Sequence, residues 1–347
     1  MKLGRKSVGV NQPTYFIADI ASNHDGDLER AKKLVLLAAE AGADAVKFQH
    51  FRADTIVSDD GFQGLGGKIG HQSDWGDSVY NTYKKYEVPM DWTQPLADLA
   101  NSVGCDFLTT PYDLSLIPGL VRHVCAWKVG SGDITYKQLI QRLVTYNKPL
   151  LLATGASTDE DIKRALGWTD WQNVILMQCN TNYTGSHDNI RFLNLKVLAG
   201  WWGGGIIGFS DHTMGHRAVL GAVALAARVI EKHFTDDNDR AGPDHKFSMT
   251  PVAWKRMTEA VRELEAMLGD GVKKVEENEK ETVVLQRRAI YAVKDLEAGE
   301  KLGPQDVSFL RPCPPDGLEP YRFEEIRGRK LKQGVRKGDY IRIGQLV

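Results

Sequence analysis

The chain has 347 residues, 44 of them basic and 45 acidic, with a formal net charge of −1 and 42% hydrophobic residues. That balance offers no bulk electrostatic attraction to nucleic acid or to an anionic membrane, and no stretch approaches the roughly 18 apolar residues of a membrane-spanning helix. The length suits one large domain with a small companion, and a basic N-terminal segment without a signal-type apolar run leads us to expect a cytoplasmic protein. Cys105, Cys125, Cys179 and Cys313 lack CxxC spacing and read as reduced core thiols rather than a disulfide framework or a zinc site.

In chain order, apolar strand-like runs fall at 15–21 (YFIADIA), 44–49 (DAVKFQ), 105–110 (CDFLTT), 126–131 (AWKVGS), 149–154 (PLLLAT), 173–179 (NVILMQC), 205–210 (GIIGFS) and 228–234 (RVIEKHF). Between them lie amphipathic segments such as DLERAKKLVLLAAEAGA and QPLADLANSVG, apolar at helical spacing and stopped by glycine. Eight β/α units in roughly 265 residues predict a closed α/β barrel of the (β/α)8 TIM type, whose usual size is about 250 residues. An open doubly wound sheet is the alternative, since periodicity does not prove closure. No GxGxxG follows the first run, which weakens its dinucleotide-binding form.

Strands buried on both faces should be nearly all apolar, yet these runs end on Asp19, Lys47 with Gln49, Thr110, Lys128 with Ser131, Ser210 with His212, and Lys232 with His233. In a β/α barrel such ends converge on one mouth, where polar residues read as an active site. A hydroxyl such as Thr110 or Ser131 serves equally well as a helix cap. Lysine at a strand position is costly without an anion, so Lys47 and Lys128 predict a phosphate or carboxylate ligand. His212 and His233 follow neighbouring runs and offer two imidazoles to a divalent ion with open positions, the alternative being two unrelated histidines.

Four segments, IADIASNHDGDLERAKKLVLLAAEAGADAVKFQ, AWKVGSGD, IGFSDHT and EKHFT followed by AGPDH, together resemble the sialic acid synthase family, the N-acetylneuraminate synthases and related nonulosonate synthases. The resemblance covers nearly the whole chain. It implies condensation of phosphoenolpyruvate with N-acetylmannosamine or a related amino-sugar aldehyde, with release of phosphate, on a TIM barrel followed by a small β-rich antifreeze-like (SAF) domain. The corresponding division is a barrel over 1–267, a charged connector over 268–287 and a small domain of short, glycine-punctuated strands over 288–347. A module of about 60 residues holds a small core, enough for marginal folding.

Residue by residue, the resemblance implies that His212 and His233 hold manganese or magnesium and form the catalytic set with Asp19. It places Lys47, Thr110, Lys128, Ser131 and Ser210 on phosphoenolpyruvate, and Gln49, Tyr183 and Asp244 on the sugar, with Thr181 also in substrate binding. Arg311, in FLRP, matches an arginine that the small domain of one subunit donates to the other's active site, which implies a domain-swapped homodimer. In that chemistry the metal polarises the aldehyde against carbon 3 of phosphoenolpyruvate. Water adds at carbon 2, and the lysines neutralise the departing phosphate.

This sequence departs from the family pattern in several places. Asp19 stands where glutamate is usual, withdrawing the charge by about one carbon–carbon bond, and displacements near 1 Å cost on the order of a hundredfold in rate. Ala153 stands in LATG where serine is frequent, TGSHDN at 184–189 replaces a proline-rich stretch, and Cys313 replaces a glycine after FLRP. A long insertion at 62–89 is rich in glycine, tyrosine and tryptophan; its Lys68 and His71 are candidates for a sugar phosphate or plain solvated groups. Two other readings stand beside the synthase: a metal-dependent aldolase using another donor, and a non-catalytic carbohydrate- or ice-binding protein.

Overall fold

The structure is a computed structural model that describes every residue except 66–71, 73–74, 184, 202 and 204. Eight parallel strands close into a barrel in sequence order: β1 (Tyr15–Asp19), β2 (Ala45–His50), β3 (Asp106–Pro111), β4 (Trp127–Val129), β5 (Leu150–Ala153), β6 (Val174–Cys179), β7 (Ile207–Asp211) and β8 (Val229–His233). The closure is made by β8, which pairs with β1 in the register Val229↔Tyr15 through His233↔Asp19. The open-sheet alternative is thereby excluded. Each strand is followed by a helix, α1 (Leu28–Glu40), α2 (Thr93–Ser102), α3 (Ile117–Leu120), α4 (Lys137–Val144), α5 (Asp159–Leu166), α6 (Leu193–Trp201), α7 (Arg217–Ala224) and α8 (Pro251–Leu268).

Local chemistry explains where these elements begin. Asp27 caps α1 by accepting the N–H groups of Glu29 and Arg30, and Thr158 with Asp161 forms a reciprocal capping box on α5. The strands are apolar on both faces because both faces are covered. One set of side chains, including Phe16, Val46, Phe48, Phe107 and Ile230, packs outward against the helices. The alternate set, including Tyr15, Ile17, Ala45, Leu108, Ala126, Leu151, Ile175, Met177 and Val229, fills the lower interior of the barrel. An N-terminal hairpin, Lys2–Leu3 against Lys6–Ser7, adds Leu3 and Val8 to that interior cluster and is tied by Lys6 to Asp44 and by Arg5 to Asp106.

The chain divides into two compact units, Met1–Gly269 and Asp270–Val347. The second has its own core, built on Ile290, Leu302, Leu318, Ile326, Leu331 and Ile341, beneath a two-stranded sheet of β9 (Ala289–Ala292) and β10 (Val307–Leu310). Isolated bridges such as Leu296↔Val335 and Leu331↔Leu346 extend it. The end of the charged connector is helical over Lys280–Gln286, and Val284 accepts the Cys313 N–H at 2.8 Å, tying it to this unit. Among the described residues no helix is long and apolar enough to cross a membrane. All four cysteines are free thiols.

Candidate functional site

At the C-terminal ends of the strands the interior turns from apolar to polar. A small chamber is lined by Asp19, Lys47, Gln49, Thr110, Lys128, Ser131, Thr181, Tyr183, Ser210, His212 and His233, together with Tyr112, Ala153, Cys179 and Glu231. All the sequence-predicted barrel residues except Asp244 thus share one cavity. Strand alternation puts them there: Asp19, Lys47, Thr110 and Lys128 each stand two residues beyond an interior core residue, Ile17, Ala45, Leu108 and Ala126. Lys232 does not belong to this set. It stands one residue out of phase, so its side chain leaves the chamber and pairs with Asp211 at 2.5 Å outside the barrel interior.

The two lysines are not waiting alone for an anion. Lys47 lies 2.7 Å from Asp19, 3.1 Å from the Thr110 hydroxyl and 3.7 Å from Glu231, and Lys128 lies 3.3 Å from Glu231. Burial works against the Lys47 ammonium, but Asp19 and Glu231 outweigh it and its pKa ends above its ordinary value. Asp19 also accepts Gln49 Nε2 at 3.2 Å and the Ala21 N–H at 3.1 Å, and stands 3.7 Å from His233 Nε2. Glu231 was missed by the sequence reading. Its Oε1 accepts the Ser210 hydroxyl at 3.1 Å and faces both lysines, while its Oε2 is buried with no hydrogen-bond partner. The signal was present: in VIEKH, Glu231 and His233 share a strand parity that Lys232 lacks.

His212 and His233 face each other with ring centres 5.3 Å apart. His212 Nδ1 donates to the Asn180 carbonyl at 2.9 Å, which leaves Nε2 with the lone pair in the neutral ring. Burial disfavours a charged His212, yet the Cys179 sulfur 3.9 Å away and the Asn180 carbonyl outweigh it, raising its pKa. His233 is pushed down to about 3, by burial first and by His212 and Lys47 after that, so it is neutral, the form that binds metals. Among the described residues no cluster of three or more His, Cys, Asp or Glu side chains is arranged to hold an ion. The fit to a cation rests on the imidazole pair and on two orphaned buried atoms in the chamber, His233 Nδ1 and Glu231 Oε2. A buried carboxylate oxygen without a donor is costly, and a cation would relieve it.

Beside it lies a second, larger chamber that shares Gln49, Tyr112, Tyr183 and His233 with the first. Phe51, Tyr83, Tyr86 and Trp75 give it aromatic walls, and Asp244, Ser22 and Thr82 give it polar points. Asp244 accepts the Ser22 N–H at 3.1 Å and stands 3.9 Å from His233 Nδ1. Tyr183 holds a left-handed backbone with φ of 52° and lays its ring 4.2 Å from that of His212, between the two chambers. Part of the 62–89 insertion supplies this wall through Val79–Lys85, whereas Lys68 and His71 lie outside the described residues. Thr181 and Ser131 meet at Gly155: the Ser131 hydroxyl accepts the Gly155 N–H at 3.0 Å, and a Cβ there would fall 2.8 Å from Thr181 Cγ2. Arg311 belongs to the C-terminal unit, where it is exposed just beyond β10.

A polar pocket holding two lysines and an imidazole pair thus stands at the C-terminal mouth of the barrel unit, a TIM-barrel protein by its fold and by the place of this site. Residues 34–273 match the NeuB family and residues 287–347 match the SAF domain, and the chain belongs to the NeuB family. Among its relatives is the N,N'-diacetyllegionaminic acid synthase of Legionella pneumophila, 34% identical over 343 residues, with 96% of this chain and 95% of that one covered. An uncharacterized protein of Methanocaldococcus jannaschii is 33% identical over 345 residues, covering 98% and 97%. The crystal structure of N-acetylneuraminic acid (sialic acid) synthetase from Leptospira borgpetersenii in complex with citrate superposes with a TM-score of 0.72 at 25% identity, covering 82% of this chain and 94% of that one.

Proposed function

We propose that this protein condenses phosphoenolpyruvate with an amino-sugar aldehyde, N-acetylmannosamine or a relative, to form a nonulosonic acid and release phosphate. The observation that carries the reading is the convergence of Lys47, Lys128, Thr110, Ser131 and Ser210 beside the His212–His233 pair, in a chamber that shares Gln49, Tyr112, Tyr183 and His233 with a larger aromatic one. Relatives named as legionaminic and N-acetylneuraminic acid synthases support it.

In this reading phosphoenolpyruvate occupies the inner chamber, its phosphate on the lysines and hydroxyls and Thr181 in its lining, and the sugar occupies the outer one on Gln49, Tyr183 and Asp244. His212 and His233 hold manganese or magnesium, with Glu231 Oε2 the nearby unpartnered acceptor. The ion supplies Lewis-acid polarisation of the aldehyde. Carbon 3 of phosphoenolpyruvate bonds to the aldehyde carbon, water adds at carbon 2, and the carbon–oxygen bond to phosphate breaks. Asp19 stabilises the positive charge that develops at carbon 2 or takes the proton of the incoming water.

The lysines already carry counter-charges in Asp19 and Glu231. An incoming anion therefore brings excess negative charge, and a divalent cation entering with it offsets most of that excess. Metal and phosphoenolpyruvate should each tighten the other's binding. By the family resemblance, Arg311 of a second copy completes the site in a domain-swapped dimer located in the cytoplasm. The Arg311→Ala variant, assayed for rate and for mass by sedimentation, should lose turnover without losing the dimer.

The deciding experiment measures phosphate release from phosphoenolpyruvate with manganese and a panel of amino-sugar aldehydes, recording the product's mass. One phosphate per product carrying the carbons of both substrates is the expected result. Carbon–carbon bond formation from pyruvate or a triose phosphate, without phosphate release from phosphoenolpyruvate, would make the protein an aldolase. Sugar binding without any turnover would make it a carbohydrate-binding protein.

A further inference from the structure

Lys232 stands between the two residues of β8 that face the chamber, and its side chain goes the other way. It is 1% exposed, and its ammonium donates to Asp211 Oδ2 at 2.5 Å and to the Thr213 carbonyl at 2.7 Å. Asp211 is its opposite number in the β7–β8 register. The Asp211 carboxylate is also committed to the turn that follows it: Oδ1 accepts the Thr213 N–H at 2.9 Å and Oδ2 accepts the Thr213 hydroxyl at 3.2 Å. Together these four hydrogen bonds close a clasp around the one residue between 211 and 213, which is His212.

The turn that carries His212 is thereby pinned to the strand that carries His233, one residue behind each imidazole. The chamber has no use for this ion pair, which lies outside it. An apolar pair would fill the space between wall and helices without the cost of desolvating two charges, so the pair calls for another explanation than packing.

We propose that Lys232 and Asp211 are positioning residues of the metal site, setting the separation and facing of the His212 and His233 rings, 5.3 Å apart, so that the pair is preorganised for one divalent ion. The inference rests on the reading that these two histidines hold that ion. Ligand orientation by groups behind the ligands is a general feature of metal sites, and loss of such groups typically lowers affinity about 10- to 100-fold.

Removing one member of a buried ion pair strands the other charge and destabilises the fold, which would hide a positioning role. The double variant Asp211→Asn with Lys232→Met avoids this. It leaves no unpaired charge and keeps an amide oxygen for the Thr213 N–H, but cuts the ammonium's tie to β7 and to Thr213. Metal-stripped full-length protein is titrated with Mn2+ in the absence of substrates, free Mn2+ being followed by electron paramagnetic resonance, and urea unfolding is measured in chelator.

Expected are an unfolding midpoint near that of the parent, a Mn2+ Kd raised about 10- to 100-fold, and a KM for phosphoenolpyruvate unchanged at saturating Mn2+. Should the double variant not fold, Thr213→Val keeps charge and shape and removes one bond of the clasp. A few-fold rise in Kd is then expected, and an unchanged Kd overturns the proposal. A well-folded double variant that binds Mn2+ as tightly as the parent, while His233→Ala does not bind it, makes the clasp structural only and leaves the metal reading standing. Parent protein that binds no Mn2+, or binds it equally after His233→Ala, removes the metal reading and this inference with it.

Discussion

In the lower barrel interior the strands contribute Ile17, Ala45, Leu108, Ala126, Leu151 and Val229, one apolar cluster, at whose edge the buried Asp106 carboxylate is taken up by the Tyr15 hydroxyl and Arg5. Two residues further along the same strands stand Asp19, Lys47, Thr110, Lys128, Ala153 and Glu231, of which four are ionisable and buried. Both layers are buried and built on the same backbone. The lower one stabilises the barrel, whereas the upper one must offset the desolvation of its own charges with ion pairs that give little net stability. The difference teaches where selection for folding ends and selection for chemistry begins, and substitutions in the two layers should separate along that line.

The largest effect is expected in the upper layer. His233→Ala should abolish metal-dependent turnover, a loss of about a hundred- to a thousandfold or more given several kcal/mol of Lewis-acid stabilisation, with a thermal melt close to the parent's. Full activity in that variant would remove the metal assignment. Ile175→Ala, in the lower layer, should do the reverse, costing about 2–5 kcal/mol in urea unfolding while leaving KM for phosphoenolpyruvate unchanged. A KM that shifts with Ile175 would show that the layers are coupled.

Asp19 sharpens the contrast, because it pairs with Lys47 at 2.7 Å and also stands 3.7 Å from His233 Nε2. Asp19→Asn should lower the rate on the true substrate about a hundredfold, and Asp19→Glu should change it measurably as the charge moves. Rates insensitive to both substitutions would take Asp19 out of the chemistry.

The smallest effect concerns pH. His50, fully buried between the hydroxyls of Thr109 and Thr93, is pushed down to about 3, chiefly by burial. The unfolded chain takes up a proton at this residue below about pH 6.5. Its contribution to stability is therefore complete above that value and is lost progressively as pH falls toward 3. His50→Gln should make the stability curve shallower between pH 6.5 and 4, by at most about 1.4 kcal/mol per pH unit. An unchanged slope in urea titrations would mean that His50 is charged in the folded protein.

Much of the candidate site could be read in the sequence because a barrel converts strand ends into neighbours. Once the eight runs were recognised, Asp19, Lys47, Thr110, Lys128, Ser210 and His233 had to approach one another whatever the loops did. Glu231 and Lys232 were harder. Adjacent and both charged, they differ only in parity, and a strand end one residue out of phase exchanges the inward residue for the outward one. The outer chamber was harder still, since Tyr83 and Tyr86 sit in and just after the short helix Val79–Lys85 and Trp75 on the segment before it, an insertion whose path over the barrel mouth no strand periodicity encodes.

The sequence by itself determined the eight β/α units, the separate C-terminal module and the polar ends that mark the mouth, because hydrophobic period and strand-end composition are local properties. Only the tertiary structure decided that the sheet closes, that Asp19 and Glu231 already neutralise the lysines, and that Lys232 braces the histidine turn from behind. These depend on which strands lie side by side and which face each side chain takes, and burial turns such placements into large energies because a charge out of water must find its partner across the fold.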